Sequence, residues 1–295
     1  VFGDRCQISW VDPTASIVLT GAGITSVDDL RLTIELLEDQ RARAIAVSGT
    51  PGGNGNAARL RITSSSIRDV AQNLNLYDEN LVLSETKDSI LPGLLSAVIE
   101  YTTGLVTVLA NETVDATPVA NIVLSGIFVS NDTSSNGTVM SGASVVATDG
   151  VFFQFTMAEE ARVATLESSA MPGGDGVGVT MTFLQGSIRD VGTNLLPVDT
   201  YLLPVTEIED FGAPQMTAAA INYGTGVLII TANETLDADP MVLSNTTMMF
   251  LSNAGGERTI NLDGATTKTG QGLSLTIQLT ELQRVAAIPL SNTNR

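Results

Sequence analysis

Between residues 177 and 184 the chain alternates: Val177, Val179, Met181 and Phe183 fall on one face, with Gly178, Thr180 and Thr182 between them. A period of two is the mark of a strand that buries one face. The same reasoning predicts a hairpin, with strands over 94–101 and 105–110 joined by the turn Thr102-Thr103-Gly104. Further strands are predicted over 122–130, 138–146, 151–156 and 162–167. Ser and Thr supply 58 of the 295 residues, and short β-branched runs are separated by Gly, Asn, Asp and Pro clusters. That spacing predicts an all-β chain of sandwich type. Only one motif departs from it. Thr280-Glu281-Leu282-Gln283-Arg284, matched by Glu38-Asp39-Gln40-Arg41 and Glu159-Glu160-Ala161-Arg162, places acids before Arg as a brief helix start does. The recurring Arg41, Arg162 and Arg284 are expected to make ion pairs or hydrogen bonds to nearby carbonyls.

These matches belong to a longer register. Ser65-Ser66-Ile67-Arg68-Asp69-Val70 returns as Gly186-Ser187-Ile188-Arg189-Asp190-Val191, and Pro51-Gly52-Gly53-Asn54-Gly55 as Pro172-Gly173-Gly174-Asp175-Gly176, both after 121 residues. With a spacing of 122, Tyr101-Thr102-Thr103-Gly104 returns as Tyr223-Gly224-Thr225-Gly226, and Asn111-Glu112-Thr113-Val114-Asp115 as Asn233-Glu234-Thr235-Leu236-Asp237. Self-similarity of this kind is the sequence sign of tandem repeats. It predicts one complete copy and two truncated ones, with domains at 1–88, 89–211 and 212–295. The first copy lacks the counterpart of 89–121, its opening hairpin. The third lacks the counterpart of the strand at 177–184. Between copies lie two matching linkers, 75–91 and 196–214, which share Glu85 with Glu207 and Asp88 with Asp210. Both carry Leu, Tyr and Val, so a defined relation between neighbours is expected, as in a stiff rod.

Composition narrows the chemistry. The chain has no His and a single Cys, Cys6, which excludes Ser-His-Asp and Cys-His catalysis and the usual zinc sites. No internal disulfide can form, and Cys6 is expected to be a buried thiol. A net charge of −18, from 32 acids against 14 bases, argues against nucleic acid as a partner. Residues 89–211 hold 14 acids and two Arg, so the acidity is concentrated in the middle copy. It is read as a solvated face, or as a surface that meets a less acidic neighbour. Mean hydropathy is +0.24, yet no apolar run approaches the roughly 20 residues of a membrane span.

A sandwich missing a strand exposes an apolar groove and unpaired backbone groups, which favours strand addition from a second molecule. The donor candidate is the segment 1–11, with Phe2, Cys6, Ile8 and Trp10. The alternative is that it forms the first strand of its own copy, because Cys6 and Ile8 align with Ile127 and Val129. If it is the donor, deleting it should leave monomers. Five Asn-x-Ser/Thr acceptors, Asn111, Asn131, Asn136, Asn233 and Asn245, are candidates for N-linked glycans. Asn111 and Asn233 occupy one site in two copies. No cofactor is expected. Calcium is considered at Glu112, Asp115, Glu234, Asp237 and Asp239, and at Asp190, Asn194 and Asp199, but none of these loops has the spacing of a calcium motif, and turn formation accounts for them. Carboxylate pairs for glycoside hydrolysis lack aromatic support, with one Trp and 4% aromatic residues. The Gly-rich stretches at 52–55 and 173–176 are read as turns.

Taken as one repeat, Tyr223-Gly224-Thr225-Gly226, Leu279-Thr280-Glu281-Leu282-Gln283-Arg284 and Pro172-Gly173-Gly174-Asp175-Gly176 resemble the tandem Ig-like repeats of large surface proteins of microbes and algae. With its open ends the chain is also similar to protomers of extracellular fibrils or pili joined by donor-strand exchange, differing from chaperone-usher pilins in its several domains and lack of a disulfide. The resemblance implies Ig-like sandwiches and a non-enzymatic, extracellular or cell-surface structural subunit that polymerises with itself into a helical filament. The alternative is a segment of a long cell-surface adhesin; a carbohydrate-active enzyme is a third reading.

Overall fold

The computed structural model describes residues 6–9, 16–25, 29–131, 137–237, 244–268 and 272–291, with the backbone alone at 6–9, 79 and 80. Among the described residues strand accounts for 37% and helix for 14%, so sheets carry the fold. The chain forms two compact units, Val1–Asp210 and Phe211–Arg295, and position 88 lies inside the first.

The first unit begins with β1 (Cys6–Ser9), β2 (Ile17–Val18), β3 (Gly23–Ile24), β4 (Ile34–Glu35), helix α1 (Glu38–Ala46), β5 (Arg59–Ile62) and β6 (Asp78–Val82). Four of these make a sheet in the order β2-β1-β5-β6, and β3 pairs with β4. There follow β7 (Leu94–Glu100), β8 (Leu105–Val114), β9 (Ile127–Ser130), β10 (Thr138–Val139), β11 (Ser144–Val145), β12 (Gly150–Thr156), α2 (Glu159–Glu167), β13 (Thr180–Phe183) and β14 (Thr200–Ile208). They build one eight-stranded sheet, β10-β9-β13-β14-β7-β8-β12-β11. Its first half reproduces the smaller sheet: the pair Cys6↔Ile62 of β1 and β5 becomes Ile127↔Phe183 of β9 and β13.

The hairpin of β7 and β8 turns at Gly104, whose φ of +70° only glycine adopts without strain. Alternation along β8 buries Val106, Val108 and Ala110, and they join Ile99, Tyr101, Phe153, Met181 and Phe183 in a core of 22 buried apolar side chains. Phe153 and Phe183 meet edge to face at 6.2 Å.

Several predicted elements are corrected. Residues 162–167 are the body of α2 instead of a strand. Glu159 and Glu160 sit in its first turn, the Arg162 guanidinium returns to Glu159, and Ala161 and Thr165 face inward; burial of that face and the ion pair outweigh the strand preference of Val163 and Thr165. Within 122–130 the strand is confined to β9, after a 3₁₀ turn at Leu124–Gly126. The stretch 138–146 is broken into β10 and β11 by a turn at Gly142, with φ +85°. The two stretches read as linkers contain β6 and β14. β14 is central: it pairs antiparallel with β13 and parallel with β7, joining the two halves of the sheet.

The second unit holds β15 (Met216–Asn222), β16 (Val227–Leu236), β17 (Phe250–Ser252), β18 (Thr259–Asn261), β19 (Thr266–Thr267), β20 (Gly272–Gln278) and α3 (Glu281–Ala287). Its main sheet runs β15-β16-β20-β19 beside the β17-β18 pair, over five buried apolar side chains. No helix among the described residues is long and apolar enough to cross a membrane.

Candidate functional site

Two places stand out, a charged junction in the first unit and an open sheet edge in the second. The junction begins with the length of β8. Ten residues carry it past the hairpin, so that its far end pairs with the loop 189–191: Val114 bridges Asp190, the Asp115 N–H donates to the Arg189 carbonyl, and the Val191 N–H to that of Thr113. Helix α1 is anchored to the same end, where the Thr113 N–H donates to Glu38 Oε1 at 2.7 Å.

From α1, Arg41 reaches across. Its guanidinium donates to both oxygens of Glu38 at 2.7 and 2.8 Å, to Asp88 Oδ2 at 2.6 Å and to Glu112 Oε2 at 2.9 Å. Asp190, fully buried, closes the group; the backbone and side-chain amides of Asn194 each donate to one of its oxygens at 2.8 Å. One carboxylate oxygen from each of Asp88, Glu112 and Asp190 lies within 4.8 Å of the others. Glu112 is 3% exposed, and its Oε1 is buried without a hydrogen-bond partner among the described residues. Three carboxylates, Glu38, Asp88 and Glu112, thus hold one guanidinium, and a fourth, Asp190, lies beside the last two.

Protonation follows this crowding. Burial, then the neighbouring Asp190, push the Glu112 carboxyl up to about 7 against the pull of Arg41. Burial also raises Asp190, opposed by the hydrogen bonds of Asn194. For Glu38 burial acts upward, but hydrogen bonds from Arg41 and Thr113 hold it below the usual carboxylate range. Asp69 and Asn73 repeat the Asp190–Asn194 turn, at 2.7 and 2.8 Å, on an open surface. There the Asn73 hydrogen bonds lower the Asp69 carboxyl, so the turn itself does not raise Asp190. Beside the junction a cleft of about 720 Å³ opens between α1 and the large sheet, with Arg43, Asp115 and Arg189 on its walls.

The other two recurring arginines behave alike. Arg162 donates to Glu159, to Asp210 at 2.8 Å and to the Tyr101 carbonyl at 3.0 Å; Arg284 donates to Glu281 and to the Tyr223 carbonyl at 2.7 Å.

The second place is β15. Its partner β16 covers one edge, and among the described residues no strand covers the other. In the large sheet the corresponding edge of β7 is filled by β14, in the register Val205↔Ala97, Thr206↔Val98, Glu207↔Ile99 and Ile208↔Glu100. Ala97 and Ile99 are there 1% and 0% exposed, and the Tyr101 hydroxyl donates to Glu207 Oε1 at 2.9 Å. Their counterparts Ala219, Ile221 and Tyr223 are exposed, half-buried and half-buried. The outer edge of β6, the counterpart of β14, likewise carries no strand among the described residues.

The sequence candidates fall as follows. Cys6 and Ile8 lie in β1, which is hydrogen-bonded to β2 on one side and β5 on the other. This is the place of a first strand within its own sheet; a donor role for 1–11 would require β1 to leave both partners. Phe2 and Trp10 lie outside the described residues, as do Asn136 and Asp239. Asn111 and Asn233 are exposed and identically held, each side-chain oxygen accepting at 2.7 Å from the N–H of Gly93 or Gln215. Asn131 donates to the Asp175 carboxylate, and exposed Asn245 accepts from the Thr247 hydroxyl at 2.6 Å. Of the acids considered for calcium, Glu112 and Asp190 meet. Asp88, which sequence showed only as a match to Asp210, completes their group. Comparison of the chain with protein-family models, with curated proteins and with solved structures gives no match.

Proposed function

We propose that the chain is a structural, non-catalytic subunit of an extracellular filament, built of tandem Ig-like sandwich repeats of about 121 residues and polymerising by β-strand addition between protomers. The observation that carries this reading is the open edge of β15, whose counterpart on β7 is closed by β14. An uncovered strand edge pairs readily with another chain. The partner strand that fits is β6 with the residues after it, because β6 occupies in the small sheet the place of β14 in the large one. Transferring the β14–β7 register sets Leu83 opposite Ala219, Ser84 opposite Ala220 and Glu85 opposite Ile221, and brings Tyr223 of one protomer to Glu85 of the next. The joined order β2-β1-β5-β6-β15-β16-β20-β19 would then repeat that of the large sheet. A heterologous contact of this kind propagates, as a filament requires. Exposed Asn111 and Asn233 are suited to carry N-linked glycans in such a setting.

Electron microscopy of the purified chain tests the proposal. Wild type should form filaments, whereas Ala219→Pro, which places a ring on the acceptor strand, should leave monomers. A chain that stays monomeric at high concentration with its edges intact supports the adhesin-segment reading instead. Filaments that persist in Ala219→Pro contradict strand addition at β15.

A further inference from the structure

We propose that Asp88, Glu112 and Asp190 form a binding site for a calcium-sized divalent cation that clamps the segment ending at Asp88 onto the large sheet. The donor set is oxygen alone, which suits a hard cation. Two oxygens bound to one ion at about 2.4 Å can be no more than roughly 4.8 Å apart, and the three carboxylates meet that limit. Magnesium, at about 2.0–2.1 Å, would require them to draw closer.

The second observation is independent of the acid count. Glu112 Oε1 is buried with no hydrogen-bond partner, while Oε2 of the same carboxylate is held by Arg41. Leaving a carboxylate oxygen unsatisfied in the interior is costly, and a cation is the partner that most directly relieves it. Charge points the same way, since Arg41 balances only one of the four carboxylates at the junction. The Arg41 contacts fix one oxygen each of Asp88 and Glu112, and Asn194 fixes Asp190, so the donors are positioned before any ion arrives. Each ligand comes from a different stretch, the segment after β6, the end of β8 and the loop after β13. An ion there joins three parts of the first unit that the sequence keeps far apart.

The test uses the full chain in chelator, then with calcium or magnesium chloride, read by thermal unfolding and by titration calorimetry. Calcium at roughly a hundredfold excess over its Kd should raise the first unit's Tm by about 5–10 °C, with magnesium weaker. Glu112→Gln should lose the calcium-dependent shift, and Asp69→Asn, in the same turn on an open surface, should retain it. If Glu112→Gln fails to fold, Asp88→Asn and the calorimetry of wild type decide. Absence of any heat or shift with millimolar calcium overturns the proposal, as does an equal shift in Glu112→Gln. So does a Glu112→Gln chain that is more stable in chelator while calcium leaves wild type unchanged, because the junction would then hold a proton in place of an ion.

Discussion

Replacing Arg41 by Met removes a cation and keeps most of its apolar stem. In the native junction its guanidinium contacts Glu38, Asp88 and Glu112 at 2.6 to 2.9 Å, and the side chains of Asp88 and Glu112 are 5% and 4% exposed. Without it, the Asp88 and Glu112 carboxylates, which lie within 4.8 Å of each other and of Asp190, lose the guanidinium that both contact. Breaking a buried ion pair costs about 3–5 kcal/mol. Arg41 itself is 26% exposed, so water recovers part of that and about 2–4 kcal/mol is expected. For a unit of this size each kcal/mol moves Tm by about 2–4 °C, giving a fall of about 5–15 °C. Calorimetry in chelator should show this in the first unit's transition and leave that of the second in place. Adding Glu112→Gln should restore part of the loss, because it removes one of the charges left behind. A Tm change below about 1 °C in Arg41→Met, or no coupling to Glu112→Gln, would refute the junction energetics.

Other expectations follow from the same structure. Because the folded Glu112 carboxyl binds its proton up to about 7 and the unfolded one releases it near 4.5, its contribution to stability is present at low pH and is lost as pH rises across that window. Relative to Glu112→Gln in chelator, wild type should lose on the order of 2–3 kcal/mol between those limits, measured by denaturant unfolding against pH; Arg41, Asp88 and Asp190 all face this group. Gly52→Ala should destabilise the first unit far more than Gly173→Ala. Both glycines have left-handed backbones, but a Cβ at Gly52 would stand 1.9 Å from the Val191 carbonyl oxygen, whereas at Gly173 nothing lies within 4 Å. Phe183→Ala, in the core beside Phe153, should cost about 3–5 kcal/mol, and Phe250→Ala, 58% exposed, much less; paired thermal melts check each comparison.

The sheet-rich character was legible because turns and β-branched runs are local. Gly104 and Gly173 mark chain reversals in the sequence, and both have positive φ. β14 escaped because Pro204 argues against a central strand. The structure resolves the conflict: the ladder with β7 starts at Val205, one residue later, so the missing N–H of Pro204 is not needed there. The start of α2 at 159–162 is legible from its acids before Arg, but its continuation reads as strand because Val163 and Thr165 favour one, and the inward packing of Ala161, Arg162 and Thr165 overrides them. The junction was the least legible part. In the sequence Glu112 and Asp190 stand in separate acidic loops, Asp88 joins them through the fold, and no local spacing announces three acids drawn from distant stretches.

The proposed assembly is tested most directly by hydrogen exchange at β15. In the monomer, amides of residues 216–222 that point away from β16 should exchange quickly, and in filaments the same amides should become protected together with those just after β6. Protection confined to other segments, with the β15 edge exchanging equally fast in filament and monomer, would contradict strand addition at this edge.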